Sequence, residues 1–127
     1  MVYYIDRNKE HIKKGCNTMT DTNRYLNDVE NELYRDFHAN PEALWDSFLE
    51  VNYYHYCGDY DGARVTITAA GPNVWLEVGR GILWYQCGDE LDHIEIDGDF
   101  NDELFHWMKE QYEIDRYYEG MEYDENE

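Results

Sequence analysis

The stretch that decides the fold lies between residues 63 and 97 and reads ARVTITAAGPNVWLEVGRGILWYQCGDELDHIEID. Hydrophobic and polar residues alternate in it with a period of two, which is the pattern of strands with one buried face. Three turn signals divide it: Gly71-Pro72-Asn73, Gly79-Arg80-Gly81 and Gly88-Asp89-Glu90. Because turns this short join neighbouring strands, the sequence predicts a four-stranded antiparallel β-meander.

The segments on both sides of the meander follow a helical period instead. Leu26, Val29, Leu33 and Phe37 predict a first helix, capped at Asp21-Thr22 and stopped by Asn40-Pro41. A second helix is predicted from Pro41 to about Tyr54.

After the meander, a long C-terminal helix is predicted to start at a cap formed by Asp99 or Asn101 and to end near Gly120. Its apolar spacing predicts that it packs on the sheet. The expected fold class is therefore α+β, with two N-terminal helices, a four-stranded antiparallel β-meander and one long C-terminal helix.

The chain is expected to hold one domain, residues 21–120, between an N-terminal extension (1–20) and an acidic tail (121–127). Basic residues outnumber acidic ones only in the first 18 residues. The codons for Lys14-Gly15 can form a ribosome-binding site upstream of Met19. A separate hypothesis is therefore that translation also, or mainly, starts at Met19.

Charge excludes several classes of partner. The chain has 29 acidic and 10 basic residues and a net charge of -19, which disfavours direct binding to DNA, RNA or an anionic membrane. Aromatic residues make up 17% of the chain, more than a disordered acidic segment contains. No apolar run is long enough to span a membrane.

The cysteines bear on the location of the protein. Their number is odd and they are widely spaced, at Cys16, Cys57 and Cys87, which fits a reducing compartment. A cytoplasmic location is therefore expected.

Catalytic and cofactor motifs are weak. His55 and Cys57 lack the spacing of a zinc site, and the calcium-like start at Asp97 fails at Asp102, where an EF-hand needs glycine. Ser47, the only serine, sits in an apolar helical pattern rather than a nucleophile elbow. The sequence thus predicts a protein that is not an enzyme and that needs no cofactor or metal.

Acidic residues instead follow the predicted helices and strands. A rigid row of carboxylates imitates the phosphates of a nucleic acid, and aromatic residues beside it supply anchors for a protein interface. The predicted partner-binding residues are Asp89, Glu90, Asp92, Glu95, Asp97, Asp99, Asp102, Glu103, Glu110 and Glu113. A secondary set comprises the turn residues Asp59, Tyr60 and Asp61, the first-helix acids Asp28, Glu32 and Asp36, and Trp75 and Tyr85 if these two lie on the open sheet face.

The segment Gly71-Pro72-Asn73-Val74-Trp75-Leu76-Glu77, followed by an acidic helix, resembles segments of small acidic proteins of phages and mobile elements. This resemblance covers residues 63–119. It implies a DNA-mimic inhibitor of the anti-CRISPR or anti-restriction type, whose partner is a basic nucleic-acid-binding protein such as a CRISPR effector or a restriction enzyme.

Two alternatives remain open at this point. The first is an acidic adaptor or antitoxin-like protein that neutralises one basic partner without imitating DNA. The second is a small enzyme or ion-binding protein. The sequence leaves the oligomeric state open, including a homodimer formed by exposed aromatic residues.

Overall fold

The computed structural model describes residues 19–69 and 71–125, and its fold class is α+β. Two helices come first, followed by an antiparallel sheet of five strands and a long C-terminal helix. The elements are α1 (Met19–Ala39), α2 (Pro41–Ser47), β1 (Glu50–Tyr56), β2 (Asp59–Thr68), β3 (Asn73–Val78), β4 (Ile82–Cys87), β5 (Glu90–Glu95) and α3 (Gly98–Glu125).

The sheet is a simple meander in which each strand pairs with its sequence neighbours, in the order β1-β2-β3-β4-β5. Side chains alternate between its two faces, as the period of two predicts. Residues that point to the buried face include Val65, Leu76 and Leu83, each no more than 1% exposed. We call this the helix-covered face, because α1 packs on β4 and β5 and α3 packs on β2 and β3.

The sequence prediction missed one strand. Residues 50–54 were assigned to the second helix, whereas the structure ends α2 at Ser47 and forms β1 from Glu50. The segment Val51-Asn52-Tyr53-Tyr54-His55-Tyr56 is rich in β-branched and aromatic residues, which favour a strand once a partner is available. That partner is β2: residues 50–53 pair with residues 63–66, which are part of a predicted strand, and His55 and Tyr56 pair with Tyr60 and Asp59, which were predicted to lie in a turn.

The two long helices meet through aromatic rings. Phe37 of α1 lies 6.0 Å from Phe100 and 6.1 Å from Trp107 of α3, measured between ring centroids. Phe100 is 1% exposed and Leu26 is fully buried, so both helices contribute to one core. The predicted packing of the C-terminal helix on the sheet is confirmed.

The helix ends differ from their predictions. The first helix already includes Met19, so Asp21 and Thr22 lie inside its first turns and not at a cap. The third helix begins at Gly98 with Asp97 as its capping side chain, and it continues through Gly120 to Glu125. The extension before Met19 lies outside the described part of the chain, so the start of translation at Met19 stays a prediction.

The cysteines also differ from expectation. Cys57, in the turn between β1 and β2, is a free and exposed thiol, whereas Cys87 at the end of β4 is disulfide-bonded. The prediction of reduced cysteines is therefore wrong for Cys87, and Cys16 lies outside the described residues. In the described part of the chain, no helix has both the length and the apolar character needed to cross a membrane.

Candidate protein-binding surface

The start of α3 holds two carboxylates in fixed positions. The Asp97 side chain accepts a hydrogen bond from the Phe100 N–H at 3.1 Å, and the Asp97 N–H donates to Glu30 Oε2 at 2.8 Å. Glu30 therefore reaches from α1 to the end of β5. Both carboxylates lie near the positive end of the α3 dipole, which stabilises negative charge there.

A second contact fixes the same end of α3 to the sheet. The Asn101 side chain accepts a hydrogen bond from the Gly79 N–H at 2.9 Å and donates one to the Gly79 carbonyl at 3.2 Å. Gly79 has a φ of 108°, a conformation that suits glycine in the turn between β3 and β4. The carboxylates that follow Asn101 thus stand on a helix anchored at two points.

One carboxylate of α3 lies close to a histidine. Glu103 Oε1 is 3.1 Å from His38 Nε2, and both side chains are about half exposed. Within residues 22–69 and 71–117, no Lys or Arg side chain lies within ion-pair distance of a carboxylate of the same residues. In this part of the chain, the carboxylates of α3 are therefore not paired with Lys or Arg.

Eight of the ten predicted partner-binding residues are exposed. They fall along the end of β5 and the first four turns of α3, with Asp89 apart in the turn between β4 and β5. The exposed residues are Asp89, Glu95, Asp97, Asp99, Asp102, Glu103, Glu110 and Glu113. Asp28 and Asp36 of α1 are also exposed, and Glu32 is half-buried.

Glu90 and Asp92 differ from the rest of the predicted set. In the strand register they stand opposite Cys87 and Tyr85, so they point to the helix-covered face and are half-buried. Glu90 Oε1 and Asp92 Oδ2 are buried, and no residue in the described part of the chain donates a hydrogen bond to them. Their position makes these two side chains less accessible to a partner than the residues of α3.

The secondary set is divided by the structure. Asp59 and Asp61 are exposed, but they belong to strand β2 and not to a turn. Tyr60 connects β2 to α3, because its hydroxyl donates a hydrogen bond to the Phe105 carbonyl at 2.9 Å. Burial of the Tyr60 hydroxyl raises its pKa. Trp75 lies on the open sheet face, whereas Tyr85 is 3% exposed on the helix-covered face. Tyr85 therefore does not meet the condition under which it was proposed.

A cleft beside the second half of α3 brings acidic and basic groups together. Its volume is about 500 Å³, and it is lined by Gly58, Asp59, Tyr60, Lys109, Tyr112, Glu113 and Arg116. Arg116 Nη1 donates to the Tyr112 hydroxyl at 2.9 Å, and that hydroxyl lies 3.0 Å from His55 Nδ1. The predicted acids Asp59 and Glu113 thus meet in space, together with two cations that the sequence analysis did not include.

The sequence analysis also missed Glu30 and the aromatic row on the open face. Glu30 sits between apolar positions of α1, and its contact with Asp97 spans 67 residues of sequence. The row Trp75, Trp84 and His93 depends on the register of three strands. The alternation around Trp75 predicted its face, but no local pattern predicts which side chains stand beside it.

Among the described residues, no group of three or more His, Cys, Asp or Glu side chains is arranged to hold a metal ion. The geometry therefore describes a charged protein surface with two distinct parts, the acidic line of α3 and the mixed cleft at its far end. No protein family model, curated protein or solved structure matches this chain.

Proposed function

We propose that this protein inhibits a host defence nuclease, of the CRISPR or restriction type, by presenting carboxylates that occupy its basic nucleic-acid-binding groove. In this proposal the protein acts in the cytoplasm of the bacterial host of a phage or mobile element. It carries out no catalysis and needs no cofactor.

The charge spacing along α3 is the observation that carries this proposal. Five acidic residues, at positions 99, 102, 103, 110 and 113, lie on a stretch of 14 helical steps. At about 1.5 Å per step this stretch is about 21 Å long. One strand of duplex DNA carries about six phosphates over the same distance. Lys109 lies in the same stretch, so five carboxylates and one ammonium leave a net charge of -4, about two thirds of the charge on a DNA strand of that length.

Anchoring gives that line a fixed shape. Asp97 caps the helix, Glu30 holds the Asp97 backbone, and Asn101 ties the first turn to Gly79. A rigid display of charge loses little conformational entropy on binding. Carboxylates held in this way suit bidentate contacts with arginine, including the arginines with which a CRISPR effector reads guanine in the PAM.

Electrostatics predicts how such a complex behaves. Long-range attraction between the acidic helix and a basic groove speeds association and weakens as ionic strength rises. The partner should therefore be captured from a bacterial lysate at low salt. Duplex DNA should then displace it, because both ligands use the same groove.

A neutralisation series tests which surface is responsible. The variant Asp99→Asn/Asp102→Asn/Glu110→Gln removes three exposed charges from α3 without adding bulk. The control Glu42→Gln/Asp46→Asn/Glu50→Gln removes three exposed charges from α2 and the start of β1. We expect the α3 variant to bind the nuclease at least about tenfold more weakly, which corresponds to about 1.4 kcal/mol, and the control to bind within about twofold. Equal losses in both variants would reject α3 as the binding surface.

The mixed cleft favours one alternative, an adaptor that docks on a basic partner without imitating DNA. Lys109 and Arg116 stand beside Asp59 and Glu113 there, a pattern unlike the uniform charge of a phosphate backbone. An adaptor would remain on its partner when duplex DNA is added. That result would contradict mimicry and direct the mapping to Asp59 and Glu113.

A further inference from the structure

The sheet has a second face, opposite the helices, that no described residue covers. We call it the open face, and the strand register arranges its side chains in rows that cross the sheet. The central row is Glu50, Thr66, Trp75, Trp84 and His93. A charged row beside it is Asn52, Arg64, Glu77, Ile82 and Glu95.

The aromatic side chains of the central row are stacked on each other. The rings of Trp75 and Trp84 are 6.1 Å apart and nearly parallel, at 14°. The Arg64 guanidinium lies 4.7 Å from the Trp75 ring centroid on one side, and His93 lies 4.8 Å from the Trp84 ring on the other. The ring faces of both tryptophans are occupied, so only the ring edges are available to a partner. The row therefore does not suit the stacking of a base or a sugar.

The open face is less acidic than α3. Its two rows contain three carboxylates and one guanidinium among ten residues, whereas α3 has ten acidic and two basic residues among 28. It also carries exposed apolar surface, including Leu91, which is 55% exposed. The indole N–H of Trp84 is buried, and no described residue accepts a hydrogen bond from it. A second acidic chain therefore meets less repulsion here than on α3.

The register makes this face complementary to itself. Arg64 on β2 and Glu95 on β5 occupy the same row, at equal distances from the line between β3 and β4. A twofold axis along that line, parallel to the strands, places β2 of one copy over β5 of the other. The same axis places Trp75 of one copy over Trp84 of the other. Aligned sheets pack in this way at about 10 Å separation and with a small angle between their strands.

We infer that two copies of this chain pair through their open faces, with each Arg64 forming an ion pair with Glu95 of the second copy and the tryptophan rows packed between the sheets. The helices then lie on the two outer surfaces, so α3 remains accessible in both copies. The pairing does not depend on the proposed inhibitory function.

The size of the face predicts a weak dimer. Strands of about six residues at 3.3 Å each, and the four strands β2 to β5 that this axis superposes at about 4.8 Å spacing, give an overlap of about 380 Å² per copy. The two copies bury about 760 Å² in total, which is the size of a weak, transient contact. We therefore expect a dissociation constant of about 100 μM and dimers that form at hundreds of micromolar protein.

Charge exchange in the full-length chain tests the arrangement. Sedimentation equilibrium from about 5 to 500 μM should show a monomer–dimer equilibrium. Arg64→Glu and Glu95→Arg should each weaken it about tenfold or more, since each places like charges opposite one another. The double variant Arg64→Glu/Glu95→Arg should return to within about threefold of the original affinity. Arg35→Glu and Asp46→Arg make the same changes of charge on exposed helical positions and should leave the affinity within about twofold.

Three results would overturn the inference. The first is a chain that stays monomeric at 500 μM. The second is a dimer that the single exchanges leave intact, and the third is a loss that the double exchange does not repair. If the chain is monomeric, acrylamide quenching shows whether the rest of the chain covers the face: shielded Trp75 and Trp84 would assign it to residues 1–18, and accessible ones would show that it is uncovered in the monomer.

Discussion

The two faces of the sheet are built from the same strands but have opposite properties. On β4, Leu83 is fully buried under the helices, whereas its neighbour Trp84 is half-buried on the open face. The helix-covered face binds the two long helices through aliphatic and aromatic contacts, and those helices carry the acidic surface outward. The open face carries stacked aromatic side chains next to charged ones. One face of the sheet thus supports the helix that carries the acidic surface, and the other presents a row of aromatic rings.

Truncation of neighbouring residues is the strongest test of this difference. Leu83→Ala should lower the free energy of unfolding by about 2–5 kcal/mol, because it leaves a cavity in a packed core. Trp84→Ala should lower it by about 1–2 kcal/mol, since a half-buried ring loses mainly its stacking contacts. Urea unfolding at about 2 μM, where the proposed dimer is dissociated, measures both. Equal losses would show that the open face is as tightly packed as the core.

Alkaline pH should act mainly through tyrosines of the helix-covered face. Burial, followed by charges nearby, raises the pKa values of Tyr25 and Tyr53 to about 12. The fold therefore favours their neutral forms, and their contribution to stability is complete below pH 10. It is lost as the pH rises from 10 towards 12, because the unfolded chain ionises first.

The measurement is the urea midpoint at pH 9, 10 and 11. Tyr25→Phe should reduce the loss of stability above pH 10, by at most about 1.4 kcal/mol per pH unit. Tyr56→Phe is the control, because Tyr56 is 72% exposed at the end of β1, and it should keep the original slope. A stability that does not change between pH 9 and 11 would contradict the role of these buried hydroxyls.

The sequence predicted those features of the fold that depend on local periodicity. The alternation Val74, Leu76 and Val78 gave the buried face of β3, and Leu26, Val29 and Leu33 gave that of α1. The segment 50–54 was assigned to a helix because Leu44, Trp45 and Phe48 continue a helical spacing up to its start. Its structure is decided instead by antiparallel pairing with β2 through the turn at Cys57 and Gly58.

The candidate site was predictable to a similar degree. The exposure of Asp99, Asp102 and Glu110 follows from their positions opposite the apolar stripe of a helix. The sequence could not predict that Asp97 caps α3 or that Glu30 contacts it, since both depend on how α1 lies across the end of β5. The same limit explains why the stacked row on the open face was not predicted.

Removal of a single carboxylate should separate the structural acids from the surface acids. Asp97→Ala should destabilise the protein by about 1 kcal/mol, because the Phe100 N–H loses its acceptor at the start of α3. Asp99→Ala, two residues later, should change the free energy of unfolding by less than about 0.5 kcal/mol. Thermal unfolding of the two variants at equal ionic strength measures this. If both lose the same amount, the first turn of α3 is stabilised by its charge as a whole and not by the cap.

The smallest expected effect is the coupling between Arg64 and Trp75. A double-mutant cycle with Arg64→Met and Trp75→Leu should give an interaction energy of about 0.5–1 kcal/mol, the range for a cation over an indole ring at an exposed site. The cycle is measured at 2 μM protein, so that only contacts within one chain contribute. A coupling near zero would mean that the guanidinium is not held by the ring in the monomer. The contact between Arg64 and Glu95 of a second copy would then have to order the arginine side chain on association, and the dimer would be weaker than the area of the open face predicts.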